Sequence, residues 1–233
     1  MTAVLAKVKH ARRPAYLPLV RDGDGPPGAS KFSGVPWLAP GEAWPPCANC
    51  GLPMQLFLQL AADELPGPAR ARIGAGNALQ FYFCTNGERG CDSEAWEPFS
   101  RSVLIRIVPV QGAAAGGDMP RGMFPPKTIT GWEAMDDYPG MEELEELTPG
   151  LDDGDLELVS EDYPVAGDKL LGWPLWVQWA EYPECRTCGA RMELLFQVES
   201  ERNVPWIFGD MGIGHVTQCP SHPSELAFQW AST

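Results

Sequence analysis

Cysteine is the residue type in this chain whose spacing most clearly indicates chemistry. Seven cysteines and one nearby histidine divide into two sets of four, and each set starts with a Cys-x2-Cys pair. The sets are Cys47, Cys50, Cys84 and Cys91, and then Cys185, Cys188, Cys219 and His222. Zn²⁺ binds thiolate and imidazole groups in tetrahedral sets of four. The spacing therefore predicts two zinc sites and leaves no cysteine over.

Both predicted sites are closed, because each has four protein ligands. A catalytic zinc keeps one position open for water or substrate, so we predict two structural ions that help the chain to fold. At the second site, His215 is an alternative to His222 as the fourth ligand.

A disulfide network is the competing interpretation of the cysteines. The first residues contain no apolar stretch followed by a cleavage site, so no secretory signal is expected. We also find no apolar run long enough to span a bilayer. Because cytoplasmic thiols stay reduced, we expect a cytoplasmic protein with metal sites and no membrane contact.

The two predicted sites belong to a longer internal repeat. Residues from 31 onward match residues from 169 onward at a constant offset of 138. Among the identical pairs are Lys31 and Lys169, Gly34 and Gly172, Cys47 and Cys185, Cys50 and Cys188, and Gln59 and Gln197. A single repeat of about 70–80 residues has a small core that a metal would stabilise. We predict two repeats packed into one pseudo-twofold body, with two tethered domains as the alternative.

The hydrophobic pattern predicts a mainly β fold (β-rich α+β) made of short antiparallel strands. The chain has 24 prolines and 25 glycines, which imply many turns and few long helices. Apolar and polar residues alternate at 79–83, 103–107 and 226–230, which predicts strands there. The pattern at 156–159 also favours a strand, whereas Met141, Leu144 and Leu147, spaced three apart, predict a short amphipathic helix.

Four regions follow from these patterns. Residues 1–29 are predicted to be a basic arm followed by a loop, and residues 30–111 form repeat 1 with its site of four cysteines. Residues 112–165 are an acidic insertion that begins with a flexible join at 112–117. Residues 166–233 form repeat 2, whose site has three cysteines and one histidine.

Negative charge is concentrated in the insertion. The net charge is −14, and residues 133–162 contain 13 acidic residues but no Lys or Arg. Such a field repels nucleic-acid phosphates and attracts basic proteins, although a charge run is also typical of a solvated loop. The candidate partner-binding residues are Glu142, Glu143, Glu145, Glu146, Asp152, Asp153 and Asp155. We expect removal of residues 133–162 to weaken client binding and to leave metal and fold intact.

Several other residues have two interpretations. Trp173, Trp176 and Trp179 recur every three residues and could line a binding groove, but core packing is favoured. Gln59 and Gln197 could contact a ligand between the repeats, but satisfying backbone groups is favoured. The equivalent Lys31 and Lys169 are interpreted as positional.

Five segments carry a resemblance to known proteins. They are 30–38 (SKFSGVPWL), 47–59 (CANCGLPMQLFLQ), 167–174 (GDKLLGWP), 185–189 (CRTCG) and 209–214 (GDMGIG). Together they resemble the bacterial YwqG-like proteins, a family largely of unknown function. They also resemble the related eukaryotic programmed-cell-death-protein-2 family and its yeast ribosome-biogenesis relative. The resemblance covers roughly residues 30–110 and 165–233.

The resemblance implies a duplicated, mainly β fold and a function in protein binding. The eukaryotic relatives are chaperones that capture a basic ribosomal protein during its synthesis. The bacterial members are linked by association to RNA processing and to toxin–immunity systems. The acidic insertion is outside the resemblance.

We therefore expect a zinc-stabilised, chaperone- or immunity-like module that captures a basic client, ribosomal-protein-like or toxin-like. An RNA-processing factor or hydrolase of the same family is the alternative, and a purely structural partner in a complex is a third. Catalysis is disfavoured because the cysteines are assigned to metal and only His10 and His215 remain, so no catalytic residue is predicted.

Overall fold

The computed structural model describes residues 2–114 and 119–233, so part of the predicted join at 112–117 lies outside the described residues. The strands are β1 Arg13–Asp22, β2 Lys31–Phe32, β3 Gln55–Ala61, β4 Asn77–Phe83, β5 Val103–Pro109, β6 Lys127–Asp137, β7 Lys169–Leu171, β8 Glu193–Glu199, β9 Ile213–Gln218 and β10 Leu226–Ala231. The helices are α1 Thr2–Lys7, α2 Gly67–Ile73, α3 Cys91–Glu94, α4 Met141–Leu147 and α5 Asp153–Ser160. Helical turns of the 3-10 type cover Lys9–Ala11, Ala62–Glu64 and Gly87–Arg89.

The ten strands form one antiparallel sheet that nearly closes into a barrel. Their order is β10-β9-β8-β7-β1-β6-β2-β3-β4-β5, and the two edge strands, β5 and β10, lie against each other. The mainly β fold predicted from the sequence is thereby confirmed, as are the strands at 79–83, 103–107 and 226–230.

Aromatic side chains fill the interior of the sheet. The rings of Phe81 on β4 and Phe228 on β10 are 4.6 Å apart, although β10 is one end of the strand order and β4 is next to the other end. Phe57, Phe83 and Phe208 pack in the same cluster. Because fully burying a Phe side chain stabilises by about 1.5–3 kcal/mol, this cluster holds the two ends of the sheet together.

The N-terminal region differs from its prediction as a basic arm and loop. It contains α1 and β1, and β1 lies in the middle of the sheet. The sequence does not predict this strand because it contains Pro14 and Pro18, and proline lacks the N–H that a central strand normally needs. β1 pairs with β6 along its whole length but with β7 only at Ala15 and Tyr16.

The acidic insertion is folded and packs on the N-terminal helix. Val4 and Val8 lie in one cluster with Leu144, Leu156 and Val159. The helix predicted at 141–147 is confirmed as α4, whereas the strand favoured at 156–159 is wrong because this segment lies in α5. Leu156 and Val159 are one helical turn apart, so both are buried on the same face.

The insertion also contributes a central strand, β6, which ends at a buried ion pair. The Lys169 Nζ lies 2.9 Å from an Asp137 Oδ2, and both side chains are fully buried. Removal of residues 133–162 would cut β6 and leave Lys169 without its partner. The expectation that the fold survives this removal therefore does not hold.

Residues at the offset of 138 make matching contacts. Lys31 pairs with Asp24 at 2.6 Å as Lys169 pairs with Asp137. Gly34 and Gly172 both have φ of +78°, and a Cβ at either position would collide with the carboxylate of that aspartate. These glycines therefore let the chain fold closely around each ion pair.

The two equivalent glutamines satisfy backbone groups, as favoured from the sequence. The Oε1 of Gln59 accepts the Trp37 N–H, and the Oε1 of Gln197 accepts the Leu175 N–H, both at 2.8 Å. The Nε2 of Gln59 donates to Ala29 O before β2, and the Nε2 of Gln197 donates to Gly167 O before β7. The two-repeat organisation and the pseudo-twofold body stay predictions, and these matched contacts agree with them.

Candidate metal centres and the adjoining groove

The first cysteine set is assembled at the ends of two strands. Cys47 and Cys50 lie in the loop before β3, Cys84 follows β4, and Cys91 begins α3. The Sγ atoms of Cys50 and Cys84 are 3.6 Å apart, and those of Cys47 and Cys91 are 4.0 Å apart. All four ligand atoms lie within 4.8 Å of one another.

The second set has the same arrangement with a histidine. The Sγ atoms of Cys188 and Cys219 are 3.7 Å apart, and the His222 Nδ1 lies 3.7 Å from Cys219 and 3.9 Å from Cys185. All four predicted members come together within 4.8 Å. His222 occupies the fourth position.

His215, the alternative ligand, lies elsewhere. It is on β9, fully buried, with its ring 4.6 Å from that of Trp176. Neither ring nitrogen has a hydrogen-bond partner among the described residues. Burial, and then the charge of Lys169, lower the pKa of His215 to about 3, so the imidazole is neutral at pH 7.

The sulfur spacings fit a metal ion and not a disulfide. Metal–sulfur bonds of about 2.3 Å in a tetrahedron separate the sulfurs by about 3.8 Å, whereas disulfide sulfurs are about 2.05 Å apart. All seven cysteines are free thiols in the structure. The two sets could therefore each hold a metal ion.

The Cys-x2-Cys loops are formed by matching hydrogen bonds. The Cys47 N–H donates to Leu52 O and the Cys185 N–H to Ala190 O, both at 2.8 Å. Gly51 and Gly189 close the two turns at φ of +78° and +70°, where a Cβ would be strained.

Backbone amides in these loops favour thiolates. Burial opposes ionisation of Cys50, but hydrogen bonds from the Leu52 backbone and the Asn86 side chain outweigh it and lower the pKa to about 7. Burial likewise opposes ionisation of Cys185, and bonds from the Thr187 and Cys188 backbone lower its pKa to about 7. Each set thus contains a cysteine prepared to bind metal as a thiolate.

A bridge segment, residues 92–101, connects the two clusters. It leaves the first cluster directly after Cys91, and Phe99 packs against the second cluster. The guanidinium of Arg186, which lies between Cys185 and Cys188 in the chain, is 4.0 Å from the centre of the Phe99 ring. The position of the bridge segment therefore depends on both clusters.

Comparison with known proteins assigns the chain to a family. The model of a domain of unknown function (DUF1963) matches residues 30–229, which include both clusters. The chain belongs to the DUF1963 family. No curated protein matches it.

This DUF1963 chain has a groove at the barrel seam, which we call the aromatic groove. It is lined by Trp96 of the bridge segment, by Trp176 and Trp179, and by Trp230 of β10, and its volume is about 440 Å³. Trp179 is 63% exposed and Trp96 is 51% exposed. The backbone N–H of Trp230 donates to the Trp96 carbonyl at 3.4 Å, so the bridge segment lies against β10.

The charge of the aromatic groove is negative. Glu97, Glu181 and Glu184 line it, and no Lys or Arg does so among the described residues. The sequence pattern drew attention to Trp176 and Trp179 but not to Trp96. Trp96 lies in the groove only because β5 and β10 come together at the barrel seam. A local sequence pattern gives no signal for that long-range contact.

A second cleft, the acidic cleft, adjoins the aromatic groove. Its volume is about 360 Å³, and it shares Trp176 and Gln178 with the groove. Met141 and Glu142 at the start of α4 line its far side. Trp176 thus lines both cavities, whose linings together include residues of the bridge segment and of the acidic insertion.

The predicted partner-binding acids are not equivalent. Glu143 is buried, pairs with Arg191 and accepts the Tyr182 hydroxyl at 2.8 Å. Asp152 caps α5 by accepting the Asp155 N–H at 2.9 Å, and the Asp155 carboxylate pairs with Lys7. The remaining members are exposed, and they are Glu142, Glu145, Glu146 and Asp153.

Among the described residues, no helix is both long and apolar enough to cross a bilayer.

Proposed function

We propose that this DUF1963 chain is a zinc-stabilised protein-binding module that captures a basic segment of a client protein. The observation that carries the proposal is that the aromatic groove and the acidic cleft lie side by side, with Trp176 and Gln178 lining both. Exposed indoles and carboxylates line these two cavities, and no Lys or Arg does so among the described residues.

Zinc is the metal that the ligand chemistry favours. The clusters supply seven thiols and one imidazole and no carboxylate, and soft sulfur ligands in a tetrahedral set select zinc over Mg²⁺ or Ca²⁺. Four protein ligands leave no position for substrate, so each ion has a structural role. The ions would hold the Cys-x2-Cys loops to the ends of β4 and β9 and fix the bridge segment between them.

The groove supplies contact area, and the charge supplies attraction. Trp and Tyr side chains in grooves contribute much of the binding free energy at protein interfaces. The net charge of −14 attracts a basic segment over a distance and accelerates its encounter with the groove. A nucleic acid meets the opposite effect, because its phosphates are repelled.

The resemblance to the YwqG-like and programmed-cell-death-protein-2 families supports the same proposal. The chaperones among those relatives capture a basic ribosomal protein, and the bacterial members have a link to toxin immunity. A ribosomal-protein-like or toxin-like client would present the kind of basic segment that this groove fits.

Fluorescence anisotropy with labelled peptides tests the proposal. A basic peptide should bind, and a peptide of the same length with acidic residues and a single-stranded RNA should not. Binding should weaken when salt rises from about 0.05 to about 0.5 M, since the screening length falls well below about 10 Å. We expect Trp179→Ala to weaken binding about tenfold, the loss typical of an exposed aromatic anchor.

Leu19→Ala provides a matched control, because Leu19 is exposed on β1 and outside both cavities. It should leave the affinity unchanged. Tighter binding of RNA than of the basic peptide would overturn the proposal and favour the RNA-processing alternative.

A further inference from the structure

We infer that the aromatic groove selects arginine over lysine side chains in its client. This inference rests on the proposed function, because it names the side chain that the basic segment presents. It follows from how arginines are already held at the wall of the same groove.

Arg191 provides an internal example of the recognition. Its guanidinium lies 3.4 Å from the centre of the Tyr182 ring and pairs with the Glu143 carboxylate. Tyr182 is also a wall of the aromatic groove. One aromatic face and one carboxylate thus hold an arginine directly beside the groove.

Similar stacking occurs at two further places, close in the chain to residues that line the groove. Arg186 lies 4.0 Å from the centre of the Phe99 ring, three residues beyond Trp96 in the bridge segment. Arg13 lies 3.3 Å from the centre of the Trp173 ring, three residues before Trp176. Arginine therefore stacks on an aromatic ring at these three places, although Phe99 and Trp173 do not themselves line the groove.

Inside the groove the same combination of groups is present without an arginine. The indoles of Trp96 and Trp179 are exposed, and no ring or cation of the described residues stacks on either of them. Glu97 lies next to Trp96 in the chain, and Glu181 lies two residues after Trp179. A client arginine could stack on an indole and extend toward a carboxylate, as Arg191 does with Tyr182 and Glu143.

A lysine side chain would bind an indole and a neighbouring carboxylate less well than an arginine does. The guanidinium is planar, weakly hydrated and forked, so it can stack on a ring and bind a carboxylate with two N–H groups at once. The ammonium of lysine is a strongly hydrated point charge that loses more on leaving water. We expect a preference of about tenfold, which is within the range of cation–aromatic contacts.

Three labelled peptides of otherwise identical sequence test the inference, carrying arginine, lysine or citrulline at each basic position. Citrulline keeps the shape of arginine but has no charge. The full-length chain should bind the arginine peptide about tenfold more tightly than the lysine peptide and should bind the citrulline peptide most weakly. Trp179→Ala should remove most of the difference between arginine and lysine, and Leu19→Ala should keep it.

The outcomes separate the inference from the proposed function. Equal, salt-sensitive binding of the arginine and lysine peptides would refute arginine selection and leave capture of a basic segment intact. Equal binding of all three peptides would overturn both. Because Trp179 is 63% exposed, its substitution should leave the thermal transition unchanged, and this can be checked on the same samples.

Discussion

At the scale of single residues, the sequence predicted which side chains are equivalent but not which partners they have. Lys31 and Lys169 are 138 positions apart, yet their partners Asp24 and Asp137 are not. Asp24 follows β1, whereas Asp137 ends β6, and these two strands pair with each other in the centre of the sheet. A linear repeat cannot indicate an aspartate from a strand outside the repeated segment.

The pair of Ser30 and Asp168, also at this offset, leads to a prediction about pH. The Ser30 hydroxyl accepts the Ala61 N–H at 2.9 Å, and an Asp168 carboxylate oxygen accepts the Glu199 N–H at 2.7 Å. Burial raises the pKa of Asp168 to about 6, although bonds from Glu199 and Asn203 oppose the rise. The folded state thus binds a proton more tightly than the unfolded state, and the stability contributed by this group is lost as pH rises through about 6.

Asp168→Ser should therefore change the pH dependence of stability. It keeps a backbone acceptor and removes the buried charge, so the variant should gain stability relative to the natural chain between about pH 4 and about pH 7. The expected gain is at most about 3 kcal/mol in the free energy of unfolding. Urea unfolding of both proteins across this range measures it, and a constant difference would show that Asp168 does not titrate there.

At the scale of elements, alternation of apolar and polar residues identified some strands and missed others. It indicated β4, β5 and β10, and spacing by three indicated α4. β1 was missed because Pro14 and Pro18 mask it, and α5 was taken for a strand because four residues are too few to separate the two periods. The bridge segment has no regular spacing of apolar residues, so no sequence pattern predicts its structure. Its position is set by the two clusters that it connects.

Phe99→Ala tests the role of the bridge segment. Phe99 packs on the second cluster and under Arg186, so its loss should loosen the second metal and not the first. Residues that support metal ligands typically affect affinity by about 10–100-fold, and we expect an effect at the lower end of that range. Release of metal to a colorimetric chelator should become biphasic, with half of the metal released faster.

Leu52→Ala is the control for this measurement. Leu52 is an exposed side chain in the first Cys-x2-Cys loop, so its truncation should leave both release rates unchanged. If Phe99→Ala also left both release rates unchanged, the bridge segment would not be coupled to the second cluster. The aromatic groove would then form without support from that cluster.

At the scale of the whole molecule, the sheet does not divide into two halves. The order of strands passes from one Cys-x2-Cys unit to the other through β1 and β6 without interruption. Arg72 on α2 also reaches across, with its Nε 2.9 Å from Gln218 Oε1 and its Nη1 3.1 Å from Leu194 O. Phe81 and Phe228 join the units again inside the barrel. These contacts favour one cooperative unit over two tethered domains.

Removing one ligand at a time distinguishes the two organisations. Cys50→Ser and Cys188→Ser should each lower the zinc content from two ions to one, measured by elemental analysis of the purified protein. Each should lower the same single thermal transition, because the sheet unfolds as a whole. The shift should be roughly 10 °C or more, since structural zinc contributes several kcal/mol and 1 kcal/mol is about 2–4 °C in a chain of this size. Two separate transitions, of which each variant moves only one, would instead establish two independent domains and refute the pseudo-twofold body.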